Sequence, residues 1–218
     1  MKKLLAVLFL PAALALLFGC GAKDGLVSRV SEYKSAVYTA EADGAALEAS
    51  YSEREYPYAM DGIAADMSGI FEVCAQLPDN TLTYTISFEA GGKSYGGEMN
   101  YDGVRRTFNY SEGIPAPAEQ TLTFTVTAEG EGAPVYTFTA QRASGGMALA
   151  DLLNTVQGSQ KQALTDFSGD HFDGEIYVRL MLQGENRYYY VGFIDRSGNC
   201  LAFLTDADTG EVLATKRP

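Results

Sequence analysis

Leu82-Thr83-Tyr84-Thr85-Ile86-Ser87-Phe88-Glu89 is the stretch that decides the fold class. Leu82, Tyr84, Ile86 and Phe88 alternate with Thr83, Thr85, Ser87 and Glu89, a period of two. Successive side chains of a strand point to opposite faces, so this segment buries one face and exposes the other. Gly91-Gly92 supplies a tight turn, and residues 93–101 return beside it. Asp102-Gly103 turns again into residues 104–110. Further on, Leu122, Phe124 and Val126 alternate with Thr121, Thr123, Thr125 and Thr127, and Gly130 to Gly132 turns into residues 135–140. On the other side, Asp43-Gly44 joins residues 36–40 to residues 45–52, another hairpin signal. Residues 70–77 form an apolar strand closed by Pro78-Asp79-Asn80. Leu26, Val30, Tyr33 and Val37 also fit a helical spacing, so the start of this region has two readings.

Many short strands with turns at this spacing predict a mainly β chain, with an antiparallel sandwich of immunoglobulin-like type over residues 32–143. The Cys…Trp…Cys signature of true immunoglobulin domains is absent, because the chain has no Trp. At Ser144-Gly145-Gly146 the period changes. Leu149, Leu152, Leu153 and Val156 follow one helical face, and Ser159 is placed to cap a second short helix through Phe167. The glycine pair therefore reads as a domain boundary, exposed and open to proteases. Four strand-like runs then follow with short turns, at residues 176–183, 188–194, 200–205 and 212–216. Short turns favour antiparallel pairing, so residues 144–218 read as a small α+β domain, one or two helices packed on a four-stranded meander. Leu152 and Leu180 are the expected helix-to-sheet contact. The closing Phe203-Leu204-Thr205-Asp206-Ala207-Asp208-Thr209-Gly210-Glu211-Val212-Leu213 resembles the last hairpin of PepSY-type domains. The resemblance covers about a dozen residues. It implies a secreted or membrane-linked setting, in which some such modules are thought to restrain proteases.

The N-terminus gives an address. Lys2 and Lys3 precede an apolar run that ends at Leu17-Phe18-Gly19-Cys20. The run is shorter than the ~20 residues of a spanning helix and has the parts of a secretory signal. Its last four residues resemble the bacterial lipobox, with Phe18 where a small residue is usual. The resemblance implies a signal peptide over residues 1–19, lipidation of Cys20, and a tether over residues 20–31. The protein would then sit on the extracytoplasmic face of the cell membrane.

The formal net charge is −12, and removal of Lys2 and Lys3 takes the remainder to −14. That balance disfavours nucleic acid and anionic headgroups, so attachment to membrane falls to the lipid. Cys74 and Cys200 lie in apolar runs and read as buried free thiols; the other reading is a disulfide between them. His171, the single histidine, sits between Asp170 and Asp173 in what reads as a solvated loop; base or metal-ligand chemistry is the sharper reading. Asp206, Asp208 and Glu211 form one acidic cluster, and Asp166, Asp170, Asp173 and Glu175 another. Either reads as solvated carboxylates on turns or as a partial calcium loop lacking further ligands. No nucleophile elbow is present. No catalytic residue, metal site or cofactor is therefore assigned. Tyr188 and Tyr190 share one face of a strand, and Tyr56 and Tyr58 flank Pro57. These four are the candidate binding residues, since exposed tyrosine stacks on sugars and partner proteins. The functional expectation is a non-catalytic binding or assembly module whose partner is an envelope protein or a glycan. The competing class is a carboxylate-dependent hydrolase of wall polymers or glycans, which would show a cleft with two converging carboxylates.

Overall fold

Alternation and turn chemistry build a mainly β chain with two helices. The computed structural model describes residues 25–57 and 65–218. A single 3-10 turn, Leu26–Arg29, leads into β1 (Val30–Ala42), β2 (Ala45–Glu55) and β3 (Met67–Gln76). Six shorter strands follow: β4 (Tyr84–Ala90), β5 (Lys93–Glu98), β6 (Asn100–Asp102), β7 (Thr107–Glu112), β8 (Thr121–Ala128) and β9 (Val135–Ser144). Helices α1 (Leu149–Ser159) and α2 (Lys161–Ser168) precede β10 (Glu175–Gln183), β11 (Asn186–Ile194), β12 (Cys200–Asp206) and β13 (Val212–Lys216). The helical spacing of Leu26 to Val37 is overridden, and strand begins at Val30. The β1–β2 and β4–β5 turns have positive φ at both central positions, 51° and 75° at Asp43-Gly44 and 58° and 71° at Gly91-Gly92. That backbone is the one a twisted two-residue hairpin needs, and it is why those residues stand there.

All thirteen strands belong to one sheet. Its main path runs β13-β12-β11-β10-β1-β2-β3-β7-β6, while β9, β8, β4 and β5 branch from β1 through β9. β10 to β13 pair consecutively and antiparallel. The pairing that turn spacing does not contain is β1 with β10, which is parallel, from Val30↔Ile176 to Lys34↔Arg179. One edge of β1 is thus used twice in series. Its first half pairs with β10, and from Ala36↔Ser144 to Thr39↔Gln141 it pairs antiparallel with β9. β2 accompanies the other edge throughout, with a register shift between Lys34 and Ala36 at the handover. An extra residue there bends the strand and raises its twist, which lets two partners follow each other.

Two apolar clusters result. Ala36 and Tyr38 join one built from β2, β3, β4, β7, β8 and β9, including Phe71, Phe88, Phe124 and Phe138. Val30 and Val37 join the other, with Leu152, Leu153 and Val156 of α1 against Ile176, Val178, Leu180, Val191, Phe193 and Phe203. The expected Leu152 and Leu180 are both in this second cluster. Ser159 does not cap α2. It lies within α1 and donates to the Thr155 carbonyl at 2.8 Å, while Gln160 precedes α2 without a side-chain cap.

Gly145 and Gly146 are not a loose joint. A Cβ at Gly145 would overlap the Tyr189 ring, and one at Gly146 would lie 2.6 Å from Asp208 Oδ1. The segment is tied down: Gly146 N–H donates to Asp208 Oδ1 at 3.0 Å, Met147 N–H to the Ala207 carbonyl at 3.2 Å, and Arg187 Nη1 to the Ser144 carbonyl at 2.8 Å. Arg187 Nη2 also grips both oxygens of Asp208, at 3.0 and 2.8 Å. These glycines serve close approach, not freedom.

The Asp206–Gly210 turn follows the same logic. Asp206 Oδ1 accepts from Asp208 N–H, Thr209 N–H and Thr209 Oγ1 at 3.0, 2.8 and 2.9 Å. Gly210 has φ 72°, and a Cβ there would meet Met147 Sδ at 2.9 Å.

Three outcomes are expected. Gly145→Ala should cost about 1–3 kcal/mol, as overpacking does in a closed site, measured by urea denaturation; an unchanged midpoint would show that the joint is loose. Leu180→Ala should cost roughly 2–5 kcal/mol and lower the midpoint reported from both clusters, since β1 feeds both; a shift confined to the helical end would separate them. The backbone donors of Thr209, then its hydroxyl and Asp208 N–H, hold the Asp206 carboxyl below its ordinary range. The folded chain therefore binds that proton less readily than the unfolded one. The turn's contribution is complete above about pH 4 and is lost as pH falls through the lowered value. The protection factor of the Gly210 amide, the intrinsic exchange rate divided by the observed rate at the same pH, should fall on acidification, and Asp206→Ala should show the lower protection already at neutral pH.

Candidate functional site

The helices cover one face of the β10–β13 region, and the candidate residues lie on the other. Directly opposed residues of paired strands project from the same face. The register therefore sets out two rows across it. One is Arg54, Glu32, Tyr177, Gly192 and Ala202; the next is Ser52, Lys34, Arg179, Tyr190 and Leu204. Tyr188 opposes Met181 and Asp206 one step further. The expectation that Tyr188 and Tyr190 share a face is met, with Tyr189 turned into the helical cluster. Both are half-buried, and Met181 beside them is 48% exposed.

Tyr190 lies down on the sheet. A Cβ on Gly192 would be 2.9 Å from its ring, and its hydroxyl is 3.6 Å from Cys200 Sγ. Burial, with the Cys200 contact second, pushes its pKa up to about 12, so it is a neutral phenol at physiological pH. Burial raises Tyr189 as well, with the Tyr33 hydroxyl 3.4 Å away adding to it. Two charged groups of the face hold each other. Arg179 forks onto Glu32, Nε to Oε1 at 2.8 Å and Nη2 to Oε2 at 2.6 Å, with its guanidinium carbon 5.4 Å from the centre of the Tyr177 ring. Tyr177 donates to the Glu175 carboxylate, and both residues are buried. The face thus offers ring faces beside one paired ion couple.

Tyr56 stands 82% exposed beyond the end of β2. Cys20 and Tyr58 lie outside the described residues. His171 is exposed between α2 and β10, and its neighbour Asp173 serves Arg29 and Arg196, at 3.0 and 3.1 Å. The acidic clusters are dispersed. Asp208 holds Arg187, Asp166 accepts from Gln162, and Glu175 sits on the far face of the sheet. Among the described residues no group of three His, Cys, Asp or Glu side chains is arranged to hold a metal ion. Cys74 on β3 and Cys200 on β12 are free thiols, half-buried rather than enclosed. The Glu32–Arg179 pair was missed in the sequence, where both read as ordinary strand residues 147 positions apart. The alternation of Glu175, Tyr177, Arg179 and Met181 against Ile176, Val178 and Leu180 was the one local signal for this face.

No family model, curated protein or solved structure matches this chain.

Gly192→Ala should displace the Tyr190 ring, the flexible partner in that contact, and uncover Cys200. Alkylation of Cys200 is expected to quicken several-fold; a rate equal to that of the unchanged protein would show that Tyr190 does not cover it.

Proposed function

We propose that the chain is a membrane-anchored extracytoplasmic lipoprotein acting as a non-catalytic binding or assembly module. In this reading Cys20 carries the lipid and the tether ends before β1, which takes up Val30 and Ser31 of the expected 20–31 span. An immunoglobulin-like sandwich of residues 32–143 and a small PepSY-like α+β unit of residues 144–218 stand beyond it. The lipobox-like Leu17-Phe18-Gly19-Cys20 supports the address. Among the described residues no helix is long and apolar enough to cross a membrane.

The observation that carries the binding role is the helix-free face with Tyr188, Tyr190 and Met181, beside which Glu32 and Arg179 are joined in a fork. A hydrolase needs carboxylates free to exchange protons and set about a reacting bond. On this face Glu32 is held by Arg179 and Glu175 is buried under Tyr177, which favours recognition by an envelope protein or glycan.

Two measurements test the two halves of the reading. Cys20→Ser should release the protein from membranes or block its processing; a variant that still fractionates with membrane at normal mobility would end the lipoprotein reading. Crosslinking in native membranes, with Tyr188→Ala and Met181→Asp combined, should lose partners that the unchanged protein captures. Capture unaffected by those changes would remove this face from the proposal.

A further inference from the structure

Further along the same sheet face, beyond Lys34 of the tyrosine rows, lies a groove lined by polar side chains. On the outer face of β2, β3, β7 and β6 the register aligns Glu48, Cys74, Asn109 and Asn100 in one row, and Ser50, Glu72 and Ser111 in the next. Neighbouring strands are ~4.8 Å apart, so these rows form a close lattice of hydrogen-bonding groups on rigid backbone. Two adjoining hollows along this groove, of about 570 and 400 Å³, share Glu48 and Cys74 in their linings. Each falls in the ~300–1,000 Å³ range of small-molecule sites.

The lining is open to a ligand. Thr107 Oγ1 donates to Asn109 Oδ1 at 3.3 Å, which orients that amide and leaves its Nδ2 hydrogens unused. Glu48, Asn100 and Ser111 make no side-chain hydrogen bond among the described residues. In the smaller hollow Lys34 and Arg105 stand against Glu48 and Glu72, and the larger adds Glu41 beside Glu48, a small negative balance in a chain of net charge −12. That balance does not attract a polyanion. Carboxylate, amides and hydroxyls side by side match a ligand whose every group both donates and accepts. We propose that this groove binds a neutral oligosaccharide. The site binds without cleaving: Glu72 is drawn to Arg54 at 3.6 Å, and Arg54 lies six residues along β2 from Glu48, so the two carboxylates part instead of converging. The proposal is independent of the lipid anchor, and the groove adjoins the tyrosine face at Lys34.

Cys74 in the groove is the reporter, and N-acetylcysteine added to the same solution is the reference thiol, since Cys200 lies beneath Tyr190 on the tyrosine face. The test is the rate of iodoacetamide alkylation at each thiol, read by mass spectrometry, in the presence of millimolar chitotetraose or cellotetraose, both uncharged. At least one of the two should slow Cys74 fivefold or more and leave N-acetylcysteine unchanged. Asn100→Ala with Glu48→Gln should abolish that protection, judged against the variant's own sugar-free Cys74 rate, while keeping the thermal midpoint. Equal Cys74 rates with and without both sugars would overturn the proposal. So would equal slowing of both thiols, or protection that survives the double variant.

Discussion

β1 has only two edges, and three strands use them. β2 takes one edge along its whole length, and β10 and β9 divide the other. Everything else in the architecture follows from that division. The register shift between Lys34 and Ala36 marks where one partner yields to the next. Around it, Ala36 and Tyr38 enter one apolar cluster while Val30 and Val37 enter the other. A single strand therefore spends its side chains on two cores, and neither core is complete without it. The parallel contact with β10 is the part that costs most to form, because it joins residues nearly 150 positions apart.

What was legible in the chain was whatever is local. Leu82 to Glu89 and Thr121 to Thr127 show their strands by alternation, and Asp43-Gly44 and Gly91-Gly92 their turns by the only residues that tolerate the backbone. The face shared by Tyr188 and Tyr190 follows from the same period of two. What was not legible is whatever depends on a distant partner. Nothing near Ser31 announces β10, and nothing near Glu32 announces Arg179. Gly145-Gly146 misleads for the same reason. Glycine means freedom only when its surroundings are empty, and here Tyr189 and Asp208 fill them. Ser159 misleads locally, since its hydroxyl reaches back into its own helix instead of forward to the next.

Acidic side chains illustrate how composition understates structure. The chain carries 28 of them against 16 lysines and arginines. Many are nevertheless structural: Asp206 and Asp195 close turns on backbone amides, Asp173 joins two arginines, and Asp208 binds a guanidinium and a backbone N–H at once. The two surfaces proposed for recognition are the tyrosine face around the Glu32–Arg179 fork and the groove around Asn109. In both, the backbone register places side chains from several strands at fixed spacing, which loops would not do.

The position of β1 also sets how the molecule would bear tension. The chain reaches the sheet through Gly25 and a single 3-10 turn, and then runs directly into β1. A pull from that end acts along the strand, whereas its hydrogen bonds to β2 and β10 lie across it. The bonds on both edges must then yield together, in shear, instead of opening one after another like the teeth of a zip. β13 at the far margin, bonded along one side only, would peel under far less force. A fold hung from its most enclosed strand keeps its shape while its surroundings move.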